Sequence, residues 1–377
     1  MPPMTRIPHV VVALSYDQDP ERWRARHARG EVLDATPYGY HRAADRFAMS
    51  WTRSHTESAL VGRVRRKLAA RLGFDVVHVW RNRALLRGAD VIWTHTEREH
   101  LAIAAVLGSG GPPVLAQSVW LWDAWPRWGP ARRRGIARLL RRHAVEVVHS
   151  PVNLGDARDA VPGRRVELVP FGTATLPSVR DDAPSSTPLV LAVGNDIDRD
   201  WPLLAVAAAR LPEVRFRVVS GSRAARETSW PANVEHVRTA TRASLAASMR
   251  EARCVVVPLR ENRHASGTTS CIEAMGAGRP MVVSRAGGLD AYVEGVARLV
   301  DPGDADELTR AVAAAVAGRV PAPPLGAEAA RGLTQADYVA RYVRITEWLL
   351  GEDWDDAVSS FASLQPPELR HPAAAAP

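Results

Sequence analysis

Two cysteines in 377 residues, Cys254 and Cys271, are too few for a disulfide framework. Both fall in apolar stretches that read as core, which fits a reducing cytosol. No apolar run reaches the ~20 residues a membrane-spanning helix needs. The first such run, from His9 to Leu14, is short and lacks the cleavage pattern of a secretory leader, so it reads as an initial strand. Lysine is nearly missing. Lys67 is the single one among 49 basic residues, so the net charge of +8 is an arginine charge. A basic balance fits nucleic acid, an anionic membrane surface or a polyphosphate-bearing substrate. Here the excess is spread along the chain and no nucleic-acid module is recognisable, so nucleic acid is not expected as a partner. The expected location is the cytoplasm, with the inner face of the membrane as an alternative.

What is present is a strand–helix rhythm over a length suited to two medium domains. In the first half, strands are expected at Val10–Leu14, Val76–Val79, Val91–Trp93, Val114–Gln117, Val145–Val148 and Val166–Val169, with helical patterns at Glu57–Arg71, Glu97–Leu107 and Arg132–His143. A polar Pro/Ser-rich stretch at 175–188 reads as a linker. A second alternation follows, with strands at Leu189–Val193, Phe216–Ser220, Val255–Val257, Met281–Ser284 and Ala297–Val300. Asp304-Ala-Asp-Glu307 opens a helix in the manner of a capping box, and Tyr338–Leu350 is a late amphipathic helix. Alternation of this kind implies parallel sheets covered on both faces. The expected divisions are 1–174, 175–188 (linker), 189–335, 336–352 (a C-terminal helix) and a tail over 353–377, disordered from about Gln365.

The chemistry concentrates in Ser266-Gly-Thr-Thr-Ser-Cys-Ile-Glu-Ala-Met-Gly-Ala-Gly-Arg-Pro280 and the following Met281-Val-Val-Ser-Arg-Ala-Gly-Gly288. Small and hydroxyl residues feed a helix N-terminus, where free N–H groups and the dipole favour an anion. Glu273, one turn deeper, can accept hydrogen bonds from a ribose diol. Together these parts can hold a nucleoside diphosphate.

This stretch resembles the nucleotide-binding segment of GT-B glycosyltransferases, in particular the large retaining group called family 4 (glycosyl transferases group 1). Val169-Pro-Phe-Gly172, Leu191-Ala-Val-Gly194 and Ala297-Arg-Leu-Val-Asp-Pro-Gly-Asp304 agree with it at their places in the chain. The resemblance implies two Rossmann-like domains with a donor site between them, and a C-terminal helix crossing back to the first. It implies hexosyl transfer from a nucleotide-diphosphate sugar, as a UDP-sugar, with retention and without a metal or other cofactor. The acceptor is left as a small molecule, a glycan or a lipid-linked hydroxyl. One departure matters: the family's first glutamate falls at Ala265. That gap keeps open a catalytically silent partner protein of the same fold, and a sugar-nucleotide epimerase is the enzymatic rival.

Each site residue has a plainer reading beside it. Glu273 is either the ribose acceptor or the last member of a Ser270-x-x-Glu273 capping box. Ser266, Gly267, Thr268 and Thr269 either bind phosphate or sugar, or merely cap the helix. Arg199, in Gly194-Asn-Asp-Ile-Asp-Arg-Asp-Trp201, is the expected cation for the diphosphate, unless a neighbouring aspartate neutralises it. Arg263 is a second candidate cation beside His264. Gly39, in Pro37-Tyr-Gly-Tyr-His-Arg42, is placed to let the backbone approach the donor, or only to turn the chain. His95 ends a strand and so faces a cleft, where it either meets sugar or packs structurally. Trp120, Trp122, Asp123 and Trp125 suit sugar stacking or ordinary packing. Asp17-Gln-Asp19 and Asp196-Ile-Asp198 have the D-x-D form of a metal site, a pattern too common to outweigh the GT-B resemblance. Arg132–Arg142 puts arginines on one helix face, either against anionic lipid, on a phosphorylated acceptor or, more simply, in solvent.

Overall fold

The structure is a computed structural model that describes residues 6–175 and 188–364. The first half forms one six-stranded sheet: β1 (His9–Ala13), β2 (Ala48–Trp51), β3 (Val91–Thr94), β4 (Val114–Ser118), β5 (Val145–Val148) and β6 (Val166–Leu168), in the order β2-β1-β3-β4-β5-β6. The second half forms another: β7 (Leu189–Val193), β8 (Arg215–Val219), β9 (Val234–Val237), β10 (Ala252–Val257), β11 (Met281–Ser284) and β12 (Arg298–Val300), in the order β12-β11-β10-β7-β8-β9. Every pairing is parallel. Central strands such as Val10-Val-Val and Cys254-Val-Val-Val257 are buried on both faces, so they read as continuous apolar runs. Each sheet accordingly carries two apolar layers, one per face.

Strand order fixes where ligands can sit. In an open parallel sheet the crevice lies beyond the strand C-termini where the order reverses. That point falls between β1 and β3 in the first sheet and between β7 and β10 in the second. The loops after those four strands carry Ser15, His95, Asn195–Arg199 and Arg263–Gly267. The helix Gln335–Leu349, capped by Thr334, leaves the second half and packs Tyr338, Tyr342 and Ile345 against Val10, Val12 and Trp93 of the first sheet.

Three expectations are corrected. Val76–Val79 is not a strand but part of the helix Val76–Arg81, because the Asp75 carboxylate caps it by accepting from the His78 N–H. Two strands were missed, β2 and β9, both at sheet edges. Their residues are half-buried or exposed, so no clean apolar pattern marks them. The helix expected at Arg132–His143 spans Pro130–Leu140 and buries Ile136, Ala137 and Leu140, with Arg132, Arg134 and Arg138 exposed and Arg133 half-buried against the Trp125 and Pro126 carbonyls. The linker expected at 175–188 falls, but for its two end residues, outside the described residues, as does the tail from Gln365.

Candidate active site in the interdomain cleft

A cleft of about 800 Å³ lies between the two sheets at their reversal points, and Arg199 forms part of its floor. The Arg199 side chain is 3% exposed. Its Nη2 donates to Ser270 Oγ at 2.9 Å, and Ser270 Oγ in turn donates to the Val193 carbonyl. Nε and Nη1 are buried without a partner. Two glycines make room for this side chain. A Cβ on Gly194 would stand 2.2 Å from Arg199 Nε, and one on Gly267 would stand 3.0 Å from Nη1 and 2.6 Å from Val257. Gly267 also has φ of 95°, a left-handed conformation only glycine adopts cheaply, and it opens the helix Thr268–Gly276. Burial pulls the Arg199 pKa down from its ordinary value, against weaker opposition from Cys271 and Asp196. A dry cation with two idle donors beneath a helix N-terminus has the chemistry to receive an anion.

Glu273 lies in the middle of that helix, 4% exposed, on the wall of the cleft. The capping-box alternative is not realised: Gly267 is the N-cap and makes no side-chain cap bond. Instead Glu273 Oε1 accepts from Arg242 Nη2 at 2.7 Å. Burial raises the carboxyl's pKa and Arg242 opposes the rise. Thr269 lines the cleft beside it, while Thr268 Oγ1 donates to the Ala265 carbonyl at 2.6 Å.

His264 joins the two halves. Its Nε2 meets Asp196 Oδ2 at 3.2 Å, and its Nδ1 lies 3.1 Å from Oδ2 of Asp123 in the first half, an ion-pair contact without hydrogen-bond alignment. Burial works against the imidazolium, yet the two carboxylates outweigh it and lift the pKa to about 9. Asp196 is heavily used: it also accepts from Ser266 Oγ at 2.8 Å, the Asp198 N–H and Trp120 Nε1. Both chain neighbours of Ala265 therefore hold the same carboxylate. Among the described residues, Asp123, Asp198 and His264 are the group whose ligand atoms, within 4.8 Å of one another, could converge on a metal ion. A protonated His264 offsets one of these carboxylate charges. The other D-x-D pair is spent locally, with Asp19 capping the helix Pro20–Ala28 and Asp17 beside Arg22.

On the first-half wall, His95 is stacked on Tyr38 with ring centres 3.5 Å apart. Tyr38 itself has φ of 53°, a strained turn that brings its ring over the histidine. The protons around His95 can be assigned from its neighbours. Gln117 Nε2 donates to the His95 carbonyl, so Gln117 Oε1 accepts from Tyr338. Tyr338 then accepts from Tyr40, and Tyr40 accepts from His95 Nδ1 at 2.9 Å. Nε2 keeps the lone pair. Burial, with His149 nearby, lowers the His95 pKa to about 3, so the ring is neutral.

Two expected site residues stand elsewhere. Gly39 (φ 72°) is covered by Gln335, whose carboxamide carbon lies 2.2 Å from where a Cβ would be, so it serves helix packing and does not line the cleft. Arg263 reaches away from the cleft to Asp156 at 3.0 Å, tying the halves together. Of the tryptophans only Trp120 lines the cleft; Trp122 is buried and donates to Glu146. Sequence reasoning missed Arg242, Arg238 and Arg26, which supply further positive charge to the cleft. With arginine so abundant, no local signal separates these three from the rest.

Residues 187–317 match the family model described as Glycosyl transferases group 1. No curated protein matches the chain in sequence. Among solved structures, sucrose-phosphate synthase from Thermosynechococcus elongatus aligns with a TM-score of 0.70 at 19% identity, over 91% of this chain and 99% of its own. HepE from Anabaena, solved in complex with UDP and glucose, aligns with a TM-score of 0.62 at 15% identity over 91% and 99%. Alpha,alpha-trehalose 6-phosphate synthase from Burkholderia multivorans gives 0.59 at 15% over 92% and 99%. At such identities the likeness establishes the fold: two Rossmann-like domains in the GT-B arrangement.

Proposed function

We propose that this protein is a glycosyltransferase that moves a hexosyl group from a UDP-sugar to an acceptor hydroxyl, with retention of configuration and without a metal. The observation that carries the reading is Arg199, a buried cation with unpartnered Nε and Nη1 at the mouth of a helix. The group 1 match over the second domain and the UDP held by the HepE neighbour support the choice of donor.

In this reading the diphosphate lies over Gly267 and the first turn of Thr268–Gly276, with Arg199 beneath it. Glu273, oriented by Arg242, accepts the ribose hydroxyls. As the bond between the sugar's anomeric carbon and the phosphate oxygen breaks, charge grows on the phosphate. The fixed guanidinium and helix N–H groups stabilise it without reorganising, usually the largest catalytic contribution. The acceptor oxygen bonds to the same carbon, and its proton passes to the departing phosphate. Neutral His95, with its Nε2 lone pair, accepts a hydroxyl of the donor sugar or acceptor. Asp196, held by His264 and Ser266 on either side of Ala265, supplies the carboxylate that position lacks.

Incubation with UDP-sugars and simple acceptors, followed by proton NMR, tests this. A glycoside with the donor's anomeric configuration supports the proposal. An isomerised sugar nucleotide identifies an epimerase, and binding without turnover identifies a silent partner protein.

A further inference from the structure

The helix Ala59–Leu72 is built inside out. Its buried positions are Gly62 and Arg65. Arg65 is held by Glu57 at 2.9 Å and by Asp75, and its guanidinium lies 3.7 Å from the centre of the Tyr16 ring. A surface helix ordinarily turns its apolar stripe to the core. Here four of the five large apolar residues face out, with Leu72 alone packing on the core: Leu60 is 67% exposed, Val61 41%, Val64 58% and Leu68 37%. Four of the twelve large apolar side chains exposed among the described residues thus sit on this one helix. Leu60, Val64 and Leu68 are spaced four apart and form one stripe. Arg63, Arg66, Lys67 and Arg71 are exposed around it, and no acidic residue occurs between Ala59 and Phe74.

We propose that this face binds an anionic lipid surface, with the apolar stripe in the headgroup–acyl boundary and the four cations on lipid phosphates. Charge decides against the other occupants. A second copy would bring the same cations face to face, and a nucleic-acid backbone would leave the apolar stripe without a partner. The helix also borders a pocket of about 440 Å³ that Arg65 and Arg66 share with Ser15 and Tyr16, just beyond β1. Ser15 donates to Glu99, which accepts from Thr96 next to His95, so the pocket adjoins the first-sheet wall of the cleft. An acceptor carried on lipid would enter from this side. That last placement rests on the glycosyl-transfer reading; the membrane contact does not.

Co-sedimentation of the full chain with vesicles, with no donor present, tests the contact. Binding is expected to vesicles of phosphatidylglycerol with phosphatidylcholine, to be absent with phosphatidylcholine alone, and to fall in high salt. The double variant Arg66→Gln/Lys67→Gln should bind about 30-fold more weakly, and Leu60→Ser/Val64→Ser/Leu68→Ser should lose binding. All five positions are exposed, so circular dichroism should stay native. Leu325→Ser, exposed in the second half, should bind as the parent does. No pelleting with anionic vesicles, or pelleting unchanged in both variants, overturns the proposal. So does a parent that is dimeric by light scattering and becomes monomeric in the triple variant without ever binding vesicles.

Discussion

Replacing Arg199 by methionine should preserve or raise stability while weakening diphosphate binding. In the ligand-free protein the guanidinium is 3% exposed, makes one hydrogen bond to Ser270, and leaves Nε and Nη1 unpartnered. Each buried unsatisfied donor costs about 1–3 kcal/mol, whereas the hydrogen bond contributes about 1 kcal/mol. Methionine has similar reach and no donor, and Ser270 keeps its bond to Val193. Arg199→Met should therefore leave stability unchanged or raise it by ~1–3 kcal/mol. Affinity moves the other way, since one lost charge-assisted bond alone means ~1.5–3 kcal/mol, or a ~10- to 150-fold weaker nucleoside diphosphate. Thermal unfolding with and without UDP reads both effects. At a concentration 100 times the parent's Kd the parent gains ~2.7 kcal/mol, and a variant weakened ~100-fold gains only ~0.4 kcal/mol. A variant that is clearly less stable yet gains as much from UDP as the parent would show that Arg199 is a structural residue, and the reasoning would be refuted.

Glu273→Gln should weaken UDP and uridine alike, by ~10- to 150-fold, because its proposed partner is ribose; unchanged titration calorimetry would remove it from the site. His264 has a folded pKa of about 9 against an ordinary 6.5. Its bridge should therefore contribute fully below about pH 6.5 and fade as pH rises through 9, by up to ~3 kcal/mol. The stability gap between the parent and His264→Gln in urea unfolding should close in alkali, and a gap independent of pH would contradict this. EDTA should leave transfer activity largely intact, whereas loss in EDTA with rescue by Mn or Mg would return Asp123, Asp198 and His264 to consideration as metal ligands.

The sequence made the fold legible where burial is two-sided. Runs such as Val10-Val-Val and Met281-Val-Val-Ser284 need no context, but β2 and β9 at the sheet edges carry no such signature. Val76–Val79 carries a β-branched run that suits a strand, yet Asp75 caps it as the start of a helix. Within the site, Arg199, Glu273 and Gly267 stand on one continuous motif or at the end of a clear strand, and the cleft does bring them together. Gly39 and Arg263 could not be placed, since Gln335 and Asp156 are far away in sequence. The bridge from Asp123 through His264 to Asp196 was hidden for the same reason: it forms only when two sheets meet.

The central claim is tested most directly by nucleoside diphosphate release. Purified protein, given a panel of UDP-sugars in EDTA, should liberate UDP from at least one of them, faster when an acceptor hydroxyl is present. Arg199→Met should release none while remaining folded. Tight UDP-sugar binding with no UDP release, or equal release by the parent and Arg199→Met, would contradict it.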